Sequence, residues 1–227
     1  KPSHESTRCV IGLIRSKRNG TSGNSLVDVN LGGILADRFL RAAVDSRLMS
    51  KIRYCYFPRT RAPPNFVEEV AAAFRANEGE IETVDGDNGL VSDEVLDVVR
   101  SDLEAIGFDV EEGKKKTEKI HRPVLFGENG EPDLQYEVDG YHEQKRYGLE
   151  VEASRAVLGN ALYRDLVQAA VMVQVDTLVL VVPNVYRYNS GGRTTESNAY
   201  SKSRDVIDTV YASGRIELPF ETLLIGY

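Results

Sequence analysis

Two alternating runs in the stretch LQYEVDGYHEQKRYGLEVE, residues 134–152, carry four carboxylates on one side. If the runs form a β-hairpin that turns at the QK pair, Asp139 lies opposite Glu150 and Glu137 lies opposite Glu152. Opposed side chains in such a hairpin have Cβ atoms about 5 Å apart, a distance at which like charges destabilise the sheet. A divalent cation would offset this repulsion, and Mg²⁺ prefers carboxylate oxygens. The stretch therefore predicts a metal site.

The residues after this hairpin predict a helix from about 154 to 174 with one polar stripe. Asn160, Arg164 and Gln168 follow each other at helical spacing, and mainly leucines form the opposite, apolar stripe. The apolar run DTLVLVVP then predicts a buried strand. A hydrated hairpin face is the simpler interpretation of a single acidic pair. A polar helix that begins at the acidic strand end favours a functional site there.

The order E-P-D, V-D-G and G-L-E-V-E-A-S-R, followed by a helix and the strand DTLVLVVP, resembles the PD-(D/E)XK superfamily of restriction-endonuclease-like nucleases. The resemblance covers roughly residues 92–185. It implies that Asp139 is the hairpin aspartate of the family and that Glu150 is the first acid of its E-x-K element. Glu152 stands where most members have Lys, although some restriction enzymes of the superfamily carry Glu there. Asp133, in the literal Pro-Asp pair, is a rival for the aspartate role, and the hairpin register favours Asp139.

The chemistry that this resemblance implies is metal-assisted hydrolysis of phosphodiester bonds. Asp139, Glu150 and the carbonyl oxygen of Val151 would bind Mg²⁺, with Mn²⁺ as a substitute. Glu104, on the preceding helix, would be an additional acid. Glu152 would accept the proton of the attacking water or complete the shell of a second metal ion.

Basic residues surround these acids in the sequence. Arg155 and Arg164, which follow Glu152, would orient phosphates or pair with Glu152. For any one of the other basic clusters, a solvated surface is the simpler interpretation. The candidate contacts with the DNA backbone are Lys114, Lys115, Lys116, Arg59 and Arg61.

Alternating strand and helix signals predict an α/β fold with a central mixed β-sheet flanked by helices. A restriction-endonuclease-like catalytic core is expected over residues 91–227. Residues 1–90 are expected to form an α/β N-terminal lobe for recognition or dimerisation. The turn-rich run VDGDNG (84–89) marks the predicted boundary.

The composition is that of a globular protein with no general affinity for polyanions. The 227 residues are 41% hydrophobic and carry a net charge of −7. This charge argues against coating of DNA by the whole surface, but it allows a local basic cleft. The longest apolar run is too short to cross a bilayer. Cys9 and Cys55 have no metal-like spacing, so reduced thiols and a cytoplasmic location are expected.

The combined expectation is a Mg²⁺-dependent endonuclease that cuts double-stranded DNA, in restriction or defence. A homodimer is expected because one site addresses one strand. The first alternative is a catalytically inactive module of the same fold that binds nucleic acid or a protein partner. Its distinguishing feature would be a salt bridge from Glu152 to Arg155 or Arg164. A glycosidase with paired carboxylates is a weaker alternative, because such sites are usually long and lined with aromatic residues and the chain has no Trp.

Overall fold

The structure is a computed structural model that describes residues 50–86, 89–113, 115–154 and 156–227. Most of the predicted N-terminal lobe, residues 1–49, lies outside the described residues. No helix within the described ranges is long and apolar enough to cross a membrane.

The described residues form ten strands and five α-helices, with three short 3₁₀ turns between them. In chain order the strands are β1 (Arg53–Phe57), β2 (Asp109–Val110), β3 (Ile120–Phe126), β4 (Pro132–Val138), β5 (Gly140–His142), β6 (Tyr147–Val151), β7 (Thr177–Val182), β8 (Tyr186–Ser190), β9 (Arg193–Ser197) and β10 (Glu221–Gly226). The helices are α1 (Asn65–Ala76), α2 (Glu78–Ile81), α3 (Ser92–Ala105), α4 (Ala161–Val171) and α5 (Ala199–Ser213).

Six strands form a central mixed sheet in the order β1-β10-β7-β6-β5-β2. Strands β6, β7 and β10 run parallel to one another, whereas β1, β5 and β2 pair antiparallel to their neighbours. Every residue of β7 is buried, as expected for a continuous apolar run at the centre of a sheet that is covered on both faces. Two further pairs, β3–β4 and β8–β9, form separate antiparallel ribbons. The predicted α/β class is confirmed.

Helices cover both faces of the central sheet. Helices α1 and α3 pack on one face, where Leu149 and Val151 of β6 join Val179 and Val181 of β7 in the core. Helices α4 and α5 pack on the other face, where Leu180 contributes to a second core. Alternate residues of β6 and β7 therefore point to opposite cores, as the two-residue period of a strand requires.

The predicted hairpin has the expected register. Gly140 pairs with Leu149 and His142 pairs with Tyr147, so the extension of the same ladder brings Asp139 opposite Glu150. The first strand of the prediction is nevertheless divided at Asp139.

The part of that run before Asp139 leaves the central sheet. Its residues belong to β4, which pairs with β3, and Glu137 lies opposite His121 at an Nε2–Oε1 distance of 3.6 Å. The predicted opposition of Glu137 and Glu152 is therefore wrong. Strand β3 offers β4 a seven-residue partner, whereas the β5–β6 ladder is only three pairs long.

The helix predicted from about 154 to 174 is shorter in the structure. A 3₁₀ turn, Ala156–Gly159, precedes α4, and Asn160 between them has a φ of 64°. Asn is among the few residues that adopt this left-handed conformation readily. Asn160 therefore ends the turn and does not begin the polar stripe, while Arg164 and Gln168 lie on α4 as predicted.

The described residues belong to one compact unit that spans 45–227. Strand β1 pairs along its whole length with β10, and α1 packs against α3. The predicted division at residue 90 therefore falls within this unit. A recognition or dimerisation role for residues 1–90 stays a prediction.

Candidate active site

Asp139 lies at the point where the chain enters the central sheet. Its backbone N–H donates to the carbonyl oxygen of Leu149, and its own carbonyl accepts from the N–H of Glu111. Its carboxylate oxygen Oδ2 accepts a hydrogen bond of 2.7 Å from the N–H of Val151. Hydrogen bonds to two neighbouring segments, β6 and the residue after β2, thus hold Asp139 against the carboxyl end of β6.

Glu150 presents its side chain to the face covered by α4 and α5. Its neighbours Leu149 and Val151 enter the opposite core, and its partner on β7, Leu180, belongs to the α4–α5 core. The carboxylate of Glu150 is therefore on the same face as that of Asp139, because opposed residues of a ladder share a face. The structure brings these two predicted residues together.

Asp165 on α4 is a third carboxylate at this place, and sequence analysis missed it. The residue is 1% exposed. Its Oδ1 accepts from Nε of Arg164 at 2.9 Å, whereas its Oδ2 is buried and has no hydrogen-bond partner among the described residues. A signal for it exists in the sequence, because residue 165 shares the apolar stripe of Leu162, Leu166 and Ala169. A charged residue on an apolar stripe indicates a buried polar site.

The three carboxylates destabilise one another's charged forms. Burial raises the pKa of Asp139 to about 7, and the nearby charges of Glu111 and Asp165 add to this. Burial also raises the pKa of Asp165 to about 6, against the opposing effect of Arg164. The pKa of Glu150 is raised well above its usual range by burial first, and then by the charges of Asp139 and Asp165. The protein alone therefore leaves these negative charges incompletely compensated.

Glu152 lies beside this group but has its own partners. Its Oε1 is 2.7 Å from Nη2 of Arg164, and its Oε2 accepts a hydrogen bond of 3.1 Å from the hydroxyl of Ser154. Arg164 also pairs with Asp165, so one guanidinium links the two acids. The salt bridge of Glu152 to Arg164 is the feature expected of an inactive module.

An acid–base pair that the sequence did not reveal flanks Asp139 on its other side. Nζ of Lys119 lies 2.7 Å from both carboxylate oxygens of Glu111. The pair is largely buried, and the charges of Asp139 and Glu137 favour the ammonium of Lys119. Glu111 follows the two-residue strand β2, and its N–H bond to Asp139 extends that strand. The local sequence carries no sign of this contact.

Other predicted residues lie apart from the carboxylates. Glu104 is exposed near the end of α3, and its charge is not among the main ones acting on Asp139 or Glu150. Asp133 is exposed on the β3–β4 ribbon.

The predicted basic contacts are dispersed. Arg59 pairs with Asp208 and Arg61 with Glu221. Both arginines follow β1, whose end lies beside the first residues of β10, so they are at the sheet edge opposite the end of β6. Lys115 is exposed and pairs with Glu118. Arg155, Lys114 and the side chain of Lys116 lie outside the described residues.

The donor set fits a divalent cation in its chemistry. Asp139, Glu150 and Asp165 supply hard carboxylate oxygens of the type that Mg²⁺ binds, and Oδ2 of Asp165 lacks a partner. Among the described residues, however, no three His, Cys, Asp or Glu side chains already converge to the spacing of a metal shell. Binding would require side-chain rotations that bring these oxygens closer.

No family model matches the sequence, and no curated protein matches it significantly. Among solved structures, the chain is similar to the crystal structure of free BglII, a restriction endonuclease. The similarity covers 78% of each chain, with 11% sequence identity and a TM-score of 0.37.

Proposed function

We propose that the protein is a divalent-metal-dependent endonuclease that hydrolyses DNA phosphodiester bonds. The observation that supports this most is the crowding of Asp139, Glu150 and Asp165 on one face of the sheet, with one buried carboxylate oxygen unpartnered. Buried acids are costly unless they are paired or bound to a metal. A group that keeps one buried acid and two half-buried acids together serves a purpose other than stability.

Asp139 and Glu150 would hold Mg²⁺ or Mn²⁺, with the carbonyl oxygen of Val151 between them. Asp165 would supply the additional acid, in the role first predicted for Glu104. A cation held by these residues would polarise a phosphate and lower the pKa of a bound water.

Glu152 and Arg164 would act beside that centre. Glu152 would accept a proton from the attacking water, and its hydrogen bond from Ser154 holds it in place. Arg164 is 58% exposed in its side chain, so its guanidinium would contact a phosphate while it still pairs with Asp165. Arg155 is proposed for the same phosphate contact.

The proposed substrate is double-stranded DNA, and the proposed active form is a homodimer, since each site addresses one strand. The lysines at 114–116 are proposed to contact the DNA backbone. Arg59 and Arg61 would contact DNA only at the edge of the sheet opposite the one that carries the carboxylates.

Incubation with supercoiled plasmid, in Mg²⁺ and separately in EDTA, tests the proposal. We expect nicked and linear DNA in Mg²⁺ only. Glu150→Gln and Asp165→Asn should each reduce the rate by at least about a hundredfold, whereas Asp133→Asn, a matched loss of an exposed acid, should cut at the wild-type rate. Cleavage that survives EDTA or Glu150→Gln would contradict the proposal.

The second candidate is a nucleic-acid-binding module without catalysis, which the salt bridge between Glu152 and Arg164 favours. A titration with Mn²⁺ by isothermal calorimetry separates the two. An active nuclease should bind Mn²⁺ and lose that binding in Asp139→Asn. A module should bind labelled duplex in EDTA, show no heat with Mn²⁺, and leave plasmid uncut.

A further inference from the structure

A cavity of about 410 Å³ lies at the carboxyl edge of the sheet, next to the proposed active site. Ala153 and Ser154, directly after Glu152, form part of its wall, together with Pro183 at the end of β7. The opposite wall comes from the N-terminus of α3 and from β8. The lining residues used below are Thr83, Val91, Ser92, Ser154, Tyr186 and Arg187.

One wall is an aromatic platform. The ring of Tyr186 stacks on that of Tyr188, with centroids 5.8 Å apart and planes inclined by 17°. Tyr186 and Tyr188 are two residues apart on β8 and therefore share one face of the strand, so the ring of Tyr188 covers one side of the Tyr186 ring. An aromatic ring that is held in this way can stack on a planar ring of a ligand, because its orientation is already set by the neighbouring ring.

The charges around the cavity are already used by the protein. Arg187 is the single charged residue among its described lining residues. Its guanidinium donates to three carbonyl oxygens of the segment 83–86 and pairs with Glu196 at 2.8 Å. The N–H of Val91, before α3, donates to the carboxylate of Glu94. Among the described lining residues a phosphate would find no available cation, so this lining suits a neutral ligand.

Two hydroxyls give the wall a directional pattern. Ser92 Oγ accepts from the N–H of Ala153 at 3.0 Å, so its own proton is available to an acceptor on a ligand. Ser154 Oγ donates to Glu152, so its lone pair is available to a donor. The edge of a nucleobase carries donors and acceptors side by side, and it would meet both hydroxyls.

We propose that this cavity binds a nucleobase, stacked on Tyr186 and hydrogen-bonded to Ser92 and Ser154. The proposal rests on the nuclease function in one respect, namely that nucleic acid is the substrate. The base would come either from a nucleotide turned out of a duplex or from a free nucleoside. In both cases the ligand would bind the hydroxyl of Ser154, which donates a hydrogen bond to Glu152. Occupation of the cavity would therefore act on the proposed catalytic group through Ser154.

Binding measurements in EDTA test this without any requirement for cleavage. The probes are a fluorescently labelled duplex with one mismatched pair, the same duplex fully paired, and the four deoxynucleosides. Extrusion costs least at a mismatch, so the mismatched duplex should bind several-fold tighter than the paired one. Tyr186→Ala should weaken binding of the mismatched duplex about tenfold, whereas Tyr186→Phe should preserve it.

Two further variants at exposed positions separate an effect on the cavity from an effect on folding. Val91→Trp, at a residue that is 58% exposed, should fill the cavity mouth and abolish the mismatch preference at unchanged stability. Phe126→Ala removes an exposed ring outside the cavity and should bind like the wild type. If the wild type binds deoxynucleosides, Tyr186→Ala does not, and the two duplexes bind equally well, the site is assigned to free nucleosides. Equal binding of both duplexes and no nucleoside binding would overturn the proposal, even if the protein cuts plasmid.

Discussion

Replacing Asp139 with Asn should make the metal-free protein more stable at high pH. Asn keeps an oxygen that can accept the hydrogen bond from the N–H of Val151, now 2.7 Å from Oδ2, and it removes the charge. Burial raises the pKa of Asp139 to about 7, from the ordinary value of 3.8 for an aspartate. The substitution therefore removes a carboxyl group that resists ionisation in the folded state.

The sign follows from proton linkage. The folded state holds the proton of Asp139 to higher pH than the unfolded chain does. The group therefore contributes stability that is complete below about pH 4 and is lost as pH rises through about 7. Between pH 5 and pH 8 this loss amounts to about 3 kcal/mol. The Asp139→Asn variant does not undergo this loss of stability. Its free energy of unfolding, compared with that of the wild type, should therefore increase by about 3 kcal/mol between pH 5 and pH 8.

Urea unfolding in EDTA at several pH values between 5 and 8 measures this difference. Asp133→Asn, an exposed acid on the ribbon, should track the wild type at each pH. Added Mg²⁺ should then stabilise the wild type at pH 8 and leave Asp139→Asn unchanged, because only the folded wild type binds it. A difference between Asp139→Asn and wild type that stays constant with pH would refute the assignment of Asp139 as a carboxyl group with a raised pKa.

Three further substitutions test packing and pairing, the first two by urea unfolding at neutral pH and the third by limited proteolysis. Gly226→Ala should lower the free energy of unfolding by about 1–3 kcal/mol, because its Cβ would lie 2.5 Å from neighbouring side-chain atoms. Gly79→Ala, with open space around its Cβ, should be neutral or stabilising. Equal effects of the two substitutions would contradict this packing. Lys119→Met should lower the free energy of unfolding by about 3 kcal/mol, since it leaves the buried Glu111 without its cation. Lys119→Arg keeps a cation beside Glu111 and should retain most of the wild-type stability. Arg187→Ala should release the loop that its guanidinium holds and speed limited proteolysis there, with Arg187→Lys intermediate; an unchanged cleavage pattern would contradict that role.

The hairpin shows how far local pattern predicts this fold. Alternation of apolar and acidic residues determines the register, because a shift by one residue would turn Asp139 toward the apolar core under α1 and α3 and take Leu149 out of that core. That is why the opposition of Asp139 and Glu150 is predictable. The departure of β4 to pair with β3 is not, because a strand's partner depends on which edge the rest of the chain offers.

Long-range contacts explain the remaining differences. The run at 84–89 has the composition of a linker, yet β1 before it pairs with β10, which no local signal reveals. Asp165 is on the buried face of α4, so the pattern shows its position, but its proximity to Asp139 depends on how α4 packs against the sheet. The Lys119–Glu111 pair likewise forms between two turns that become neighbours only through the fold.

The position of β10 has a consequence for biosynthesis. This strand is inserted between β1 and β7, and it is made after every other strand of the described chain. While the ribosome is still translating the preceding segment, β1 has no partner strand among the described residues and the apolar edge of β7 is open. The nascent protein must therefore be kept from associating with other chains until residues 221–226 have emerged, and a stall in translation before that point would yield an aggregation-prone product.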